Sequence, residues 1–472
     1  MRKVLMALAA VAATATGLAA QSGEQPVNVR VQQAQPGKWE VPDCGLDKGN
    51  FLIGSGATYL KSGIETGDAA KKERLFTNAR NVVIEGIEKG QSGASGAWYY
   101  LGRAYLQLGD LAGADSALTR AQQLAPACEK DIQLLRRNTW VSLVNAGNGF
   151  MKDKNNDSAA VLFRQANEIY RGEPNSYSSL AVLFNSMGQA DSAIVYFRLA
   201  VAAAASDPKS AETRDQAQYN LAALLSNEGR WPEAVAAWQQ YLTWKPDDID
   251  GKKAYARALR ASGQPDAAAQ IERELISGGG ADVPIADLMV AGVNFFNDKN
   301  YPEAAATFGR VVKREPWNRD ALFNMGNASL GAQDADGVIR AGLALYAIEP
   351  MNENSVKLLA QGYQLKKDQK MIVKYFTEVE GMAFNLDIEQ LILQSGGAKV
   401  IGTATGRAAK TIDTKPIAPH AVTLVFEFLD DKMAVVASSE RTIPALGVGE
   451  KSVVEAEGLG GGIVGWRYSV KK

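Results

Sequence analysis

A pattern of small and large residues returns along the chain about every 34 residues. Trp98, Leu101, Gly102 and Tyr105 have the spacing W-x2-L-G-x2-Y, and Ala114, Leu118, Ala121 and Pro126 follow. The pattern recurs at Leu143, Gly147, Phe150, Ala159, Phe163 and Ala166, and again at Ala181, Phe184, Gly188, Ala193, Phe197 and Ala200. It continues at Leu221, Ala222, Gly229, Ala234, Trp238 and Pro246, fades to Ala256, Gly263 and Ala268, and recovers at Gly292, Phe295, Ala304, Phe308 and Pro316. One further copy keeps Gly326 and Pro350 but has Val338 and Gly342 where alanine and an aromatic are usual, and a last copy keeps Leu359, Ala360, Tyr363 and Phe376. A period of this length marks a supersecondary unit that buries its apolar face by stacking on the next unit. Within a unit, Gly102 and Ala114 are small enough for two antiparallel helices to approach, and Trp98, Leu101, Tyr105 and Leu118 fill the space around that contact. Pro126 cannot continue the second helix and so helps to end it.

These residues closely resemble the tetratricopeptide repeat (TPR) family. The resemblance implies an all-α superhelical solenoid over residues 50–385, with eight units beginning near residues 95, 140, 174, 215, 249, 285, 319 and 353. A degenerate helical pair is expected over residues 50–90, because a terminal repeat has one face without a neighbour. Local signals agree: "WPEA" at Trp231–Ala234 and "YPEA" at Tyr301–Ala304 put proline in the first turn of a second helix. "NDSA" at Asn156–Ala159 and "ADSA" at Ala190–Ala193 offer capping side chains there. "SGGGADVP" at Ser277–Pro284 reads as a long loop, with a hinge as the alternative.

Residues 1–20 have the three parts of a secretory leader: Arg2 and Lys3, an apolar alanine-rich run, and small residues ending at Ala19 and Ala20. Cleavage near Ala20 would leave a periplasmic or secreted protein with no further span; an uncleaved anchor is the alternative. Residues 21–49 read as a partly extended leader or linker. The two cysteines, Cys44 and Cys128, would meet an oxidising compartment, where they either pair or remain unrelated thiols. Pairing would close a loop contributing roughly 4–5 kcal/mol in the chain-entropy model.

After about residue 386 the period shortens from helical toward two. In "AVTLVFEFLDD", Val422, Leu424, Phe426 and Phe428 share one face and Thr423 and Glu427 the other. Similar runs, "DIEQLILQ", "KVIGTATGR", "KMAVVASSERTI", "KSVVEAEG" and "IVGWRYSV", predict a small all-β antiparallel sandwich over residues 386–472. Its order of strands and turns resembles immunoglobulin-like modules at the ends of exported bacterial proteins.

Few residues point to catalysis. His420 is the only histidine, so neither a metal site nor a serine or cysteine nucleophile has the partners it needs. Gly460, Gly462 and Gly465 match G-x-G-x-x-G in form, but no helix follows them to receive a phosphate. We therefore expect no enzyme, metal or cofactor. The 51 basic and 52 acidic side chains give a net charge of −1, which offers no general attraction to nucleic acid.

The TPR resemblance implies a concave face built from the first helices. Helical spacing puts there Tyr99, Arg103, Asn148, Lys152, Asn185, Tyr219, Asn227, Lys253, Arg257, Arg260, Asn297 and Asn327, together with Met289, Phe296, Phe323, Lys357, Gln361 and Gln364. Lys253, Arg257 and Arg260 form an i, i+4, i+7 basic stripe, and asparagines recur around it. Arginine grips carboxylates and asparagine pairs with extended backbone, so the expected partner is a protein or peptide with acidic or C-terminal carboxylate groups. A solvated helical face is the alternative reading of the same residues. The lysine and asparagine clamp that some TPR proteins use for chaperone tails is not reproduced. The expected function is a non-enzymatic interaction scaffold of the bacterial envelope. The rivals are a structural subunit of a secretion, outer-membrane or peptidoglycan assembly, and glycan binding through the sandwich, which would need exposed aromatics beyond Trp466 and Tyr468.

Overall fold

A computed structural model of the chain describes residues 38–471 apart from Val41, Ser206 and residues 279–282. The leader with its Ala20 cleavage position and the centre of the glycine run at residues 277–284 lie outside the described residues. Among those described, 18 helices form a TPR-like solenoid followed by two antiparallel sheets. The chain divides into two compact units, one ending at Ala258 and the other beginning at Leu259.

The first unit contains α1 (Phe51–Glu65), α2 (Ala69–Gly86), α3 (Ser95–Leu108), α4 (Leu111–Leu124), α5 (Glu129–Lys152), α6 (Asn156–Ile169), α7 (Pro174–Ser186), α8 (Ala190–Ala204), α9 (Ala211–Asn227) and α10 (Trp231–Trp244). The division falls within α11 (Ile249–Ala261). Helices pair in sequence order, and the spacing within a pair is set where one backbone carries no side chain. A Cβ on Gly102 of α3 would lie 2.6 Å from Leu118 Cγ of α4, and one on Gly147 of α5 would lie 2.7 Å from the Phe163 ring of α6. The degenerate pair α1 and α2 makes the same contact between Gly63 and Phe76, at 2.4 Å. Leu118, Phe163 and Phe76 are all buried.

Two local readings need correction. The second repeat begins at Glu129, not near residue 140, because a short 3-10 turn at Pro126–Cys128 leads straight into α5, with Glu129 and Asp131 in its first turn and Ile132 buried. The capping residue of α6 is Asn155, which accepts from Ser158 N at 3.2 Å, and α8 has no side-chain cap, so "NDSA" and "ADSA" do not supply the caps.

The second unit continues with α12 (Pro265–Gly278), α13 (Ile285–Asn297), α14 (Tyr301–Arg314), α15 (Arg319–Gly331), α16 (Ala335–Ile348), α17 (Glu353–Leu365) and α18 (Gln369–Gly381). Gly292 of α13 meets the Phe308 ring of α14, where a Cβ would come within 2.6 Å. Six strands follow: β1 (Phe384–Gln394), β2 (Gly397–Gly406), β3 (Val422–Leu429), β4 (Val435–Ile443), β5 (Lys451–Leu459) and β6 (Gly465–Val470). They form two antiparallel sheets, in the orders β1-β2-β5 and β4-β3-β6. Val400, Ala404 and Ala456 from one sheet and Leu424, Phe426 and Phe428 from the other are fully buried in one core.

That core does not stop at the sheets. Leu322, Val338, Leu345, Ile348 and Leu358 from α15, α16 and α17 belong to it, so the sandwich closes the apolar end of the last repeats. A polar seam runs beside it. Asn352, fully buried, accepts from Asn354 N and Ser355 N at the start of α17 and donates to Leu386 O and to Asp387 Oδ1 at 3.1 Å on β1. Glu349, also fully buried, accepts from Arg319 Nε at 2.6 Å and from the Ser355 hydroxyl. Burial pushes the Glu349 carboxyl above its ordinary range, against the pull of Arg319 and Ser355.

Two substitutions test this packing. Gly102→Ala places a methyl group against the buried Leu118 and is expected to lower stability by about 1–3 kcal/mol. Asn352→Ala removes a cap and two buried donor contacts at once and is expected to cost about 2–3 kcal/mol. Both would be read as a fall in the thermal unfolding midpoint, and an unchanged midpoint would contradict the contact concerned.

Candidate functional site

The first-helix face of the first repeat is occupied. The described residues of the segment from Lys38 to Asn50 form no helix or strand, and the segment runs antiparallel to α3. At the start of α3, Gly96 N donates to Asp47 O at 3.0 Å and Asp47 N donates to Ser95 Oγ at 2.9 Å. Ala94 precedes the helix and has no capping side chain, so the Asp47 carbonyl satisfies one of the free N–H groups of that terminus. The approach needs glycine, because a Cβ on Gly96 would sit 2.4 Å from Asp47 O.

Further along the helix, Arg103 donates from Nη1 to Glu40 O at 3.2 Å and lies over the Trp39 ring at 4.2 Å. Trp39 also lies 6.3 Å from the Tyr100 ring. Between these anchors, Cys44 and Cys128 form a disulfide with a Cα–Cα distance of 5.0 Å. Tyr99 is only 1% exposed and donates its hydroxyl to Asp131 on α5. Burial raises the Tyr99 phenol far above its ordinary value despite the nearby Arg103. Arg103 therefore contacts the bound segment, whereas Tyr99 supports the helix beneath it.

The other expected groove residues divide into three groups. Asn148, Lys152, Asn185, Asn227, Arg257 and Asn297 are exposed. Tyr219 is half-buried and packs edge-on against Trp238 at 5.0 Å and Tyr241 at 5.4 Å, so it is part of the packing within its own pair. Asn327 donates to Phe323 O of its own helix at 3.0 Å, Lys357 pairs with Glu353 at 3.1 Å, and Lys253 is half-buried.

Arg260 departs from the expected basic stripe. Its guanidinium binds Asp298 through Nη1 and Glu272 through Nη2 at 2.9 Å, and Asn294 Nδ2 donates to the second Glu272 oxygen at 2.6 Å. Burial would lower the arginine pKa, but Asp298 and Glu272 outweigh it and hold the group above its ordinary value. Burial in turn raises the Glu272 carboxyl, which Arg260 and Asn294 only partly offset. The cause is legible in the repeat register: Glu272 stands where other repeats place a buried aromatic such as Phe163 or Phe308. Arg260 therefore neutralises a local defect and is not a free cation for a ligand.

In the sandwich, Trp466 and Tyr468 are buried and stack on one another at 6.0 Å, so they offer no platform for a sugar ring. His420 is exposed, with Nδ1 3.2 Å from Ala418 O. Among the described residues no group of three or more histidine, cysteine, aspartate or glutamate side chains is placed to hold a metal ion. No helix among them is long and apolar enough to cross a membrane.

The tetratricopeptide repeat family profile matches residues 95–128, the pair α3 and α4 with the turn that follows. No curated protein matches the chain. Among solved structures, YrrB, a TPR protein described with an unusual peptide-binding site, is 17% identical, with 45% of this chain and 96% of that one aligned at a TM-score of 0.30. The C-terminal part of a TPR repeat-containing protein from Cytophaga hutchinsonii is 18% identical, with 54% of this chain and 96% of that one aligned at a TM-score of 0.32. Pseudomonas aeruginosa pilF is 16% identical, with 48% and 99% aligned at 0.28. The pair α3 and α4 is thus a tetratricopeptide-type repeat, and such repeats imply a scaffold for protein–protein interaction.

The two arginines of α11 should behave differently. Arg260→Ala strips Glu272 and Asp298 of their counter-charge and is expected to destabilise the protein by about 3–5 kcal/mol, whereas exposed Arg257→Ala should stay within about 0.5 kcal/mol. Urea unfolding of both variants checks this, and equal effects would return Arg260 to the list of free groove cations.

Proposed function

We propose that this chain is an exported, non-enzymatic scaffold of the bacterial cell envelope that binds extended segments of partner proteins along the first-helix faces of its repeats. The observation that carries this reading is the grip of α3 on the segment Lys38–Asn50. Arg103, Ser95 and Gly96 hold main-chain atoms and one aromatic ring, which are the means by which a helical face binds an extended peptide. The later repeats expose the same kinds of group: Asn148, Lys152, Asn185, Asn227 and Arg257. Lys152 and Arg257 supply the positive charge that acidic or C-terminal carboxylate groups would meet, with Arg260 withdrawn from that role.

Export is supported by the leader pattern of residues 1–20 and by the Cys44–Cys128 disulfide, a bond that persists in oxidising compartments. The sandwich, similar in pattern to immunoglobulin-like modules, serves in this reading as the cap of the last repeats. A second reading, a permanent structural subunit of an envelope assembly, is favoured by the exposed Val290, Val293 and Phe296 on α13.

Covalent crosslinking of the mature protein in its native envelope tests the scaffold reading, beside a variant carrying Asn148→Ala, Lys152→Ala, Asn185→Ala and Asn227→Ala. A partner whose recovery falls at least about tenfold in the variant is the expected result. An identical set of partners from both proteins would reject the first-helix faces as the binding surface.

A further inference from the structure

We propose that the segment Lys38–Asn50 is the resident occupant of a peptide site on α3, that this site accepts extended backbone carrying an aromatic side chain, and that the bond to Cys128 keeps it closed to partners. The inference rests on the reading that first-helix faces bind extended segments, and it assigns to the first repeat both a ligand chemistry and a means of self-closure.

The segment lies on the surface of the first helices, with Trp39, Cys44 and Leu46 against their apolar core. None of its described residues is buried, and Trp39, Pro42, Cys44, Leu46 and Asn50 are only half-buried. Its attachments fall at separate points: Trp39 and Glu40 at Arg103, Cys44 at Cys128, and Asp47 at Ser95 and Gly96. Most of these contacts engage the main chain of the segment and so do not depend on its sequence. Three side chains add to them: Cys44 through its bond to Cys128, Leu46 against the apolar core, and Trp39, whose ring lies over the Arg103 guanidinium and beside Tyr100 and makes an aromatic residue the selective feature at the Arg103 end.

Two tethers explain why the chain's own segment wins this site. Asn50 leads directly into α1, where its side chain caps Leu52 N at 3.0 Å, and Cys44 is bonded to Cys128. Short tethers of this kind give a local concentration on the order of millimolar or above, which a free partner of ordinary affinity cannot displace. With the disulfide closed the site is therefore shut. Loss of that bond frees the Trp39 end, which the contacts at Arg103 alone then hold, while Asp47 stays at Ser95 and Gly96 beside the Asn50 tether.

The test uses the full mature chain in two forms: the disulfide-closed protein, and a variant carrying Cys44→Ser, Cys128→Ser and Trp39→Ala. The probe is a fluorescent peptide of residues 36–50 with Cys44→Ser, read by anisotropy. The opened variant should bind at least about tenfold more tightly than the closed protein, and adding Arg103→Ala to it, or Trp39→Ala to the probe, should remove most of that gain. Equal affinity for the closed and opened proteins, or a gain indifferent to both changes, would overturn the proposal. Should the opened variant fail to fold, the Trp39→Ala chain with both cysteines present decides, probed with the same peptide before and after reduction of the Cys44–Cys128 bond by dithiothreitol: about tenfold tighter binding after reduction supports the site, and equal binding overturns it. Absence of peptide binding would leave partner capture at Asn148, Lys152, Asn185 and Asn227 intact. Identical partner sets from the unaltered chain and the four-alanine variant, with peptide binding retained, would reject the broader scaffold reading instead.

Discussion

A missing Cβ sets the distance between the two helices of a pair, and the remaining structure follows from that distance. Gly63, Gly102, Gly147 and Gly292 each let a large side chain of the second helix lie against the backbone of the first, at Phe76, Leu118, Phe163 and Phe308. Alanine takes this position in other repeats: Ala181 and Ala222 are fully buried, with Phe197 and Trp238 in the corresponding large positions. Protein interiors are packed as densely as organic crystals, so a methyl group more or less at this contact would tilt one helix against the other. A small residue, glycine or alanine, recurs at this contact from pair to pair, and the stacking leaves a face of the first helix open to further contacts, which on α3 is taken by the segment Lys38–Asn50.

Where the contact fails, the chain compensates with charge. Glu272 occupies a large-residue position and would be a buried carboxylate without partners, a costly state. Arg260 and Asn294 donate to it while Asp298 binds the other side of the Arg260 guanidinium, and a cation that could have served a ligand is used for folding. At the other end of that unit, the exposed apolar surface of a last repeat is avoided by fusing it to a β core. Leu345, Ile348 and Leu358 share that core with Phe384, Phe426 and Tyr468, and Asn352 and Glu349 satisfy the polar groups at the seam. The sandwich is therefore part of the solenoid's stability before it is anything else.

The α3 face shows how a first helix can hold an extended segment. Backbone is held by a helix terminus and a guanidinium, and one aromatic ring supplies selectivity. None of this requires a catalytic group, and the groups that recur on the later first helices are amides and cations of the same kind.

Periodicity in the sequence determined the repeat fold, the helical pairing and the change to strands, because each depends on local spacing of small, large and alternating residues. It also marked Arg103 as a surface residue, and the absent aromatic at Glu272 was visible as a weak fifth repeat. Other features needed tertiary structure. The turn between paired helices adopts positive φ at Gly109 and Gly188, which glycine announces, but also at Lys154, Lys299, Gln333 and Lys367, which nothing local announces. Trp39, Glu40 and Asp47 looked like linker residues, and only the path of the chain back over α3 brought them to Arg103 and Gly96. Likewise Arg260 had the spacing of a groove cation until the fold placed two carboxylates around it. Local spacing fixes which face of a helix a side chain occupies, whereas its partners there come from segments distant in sequence, and these only the three-dimensional path decides.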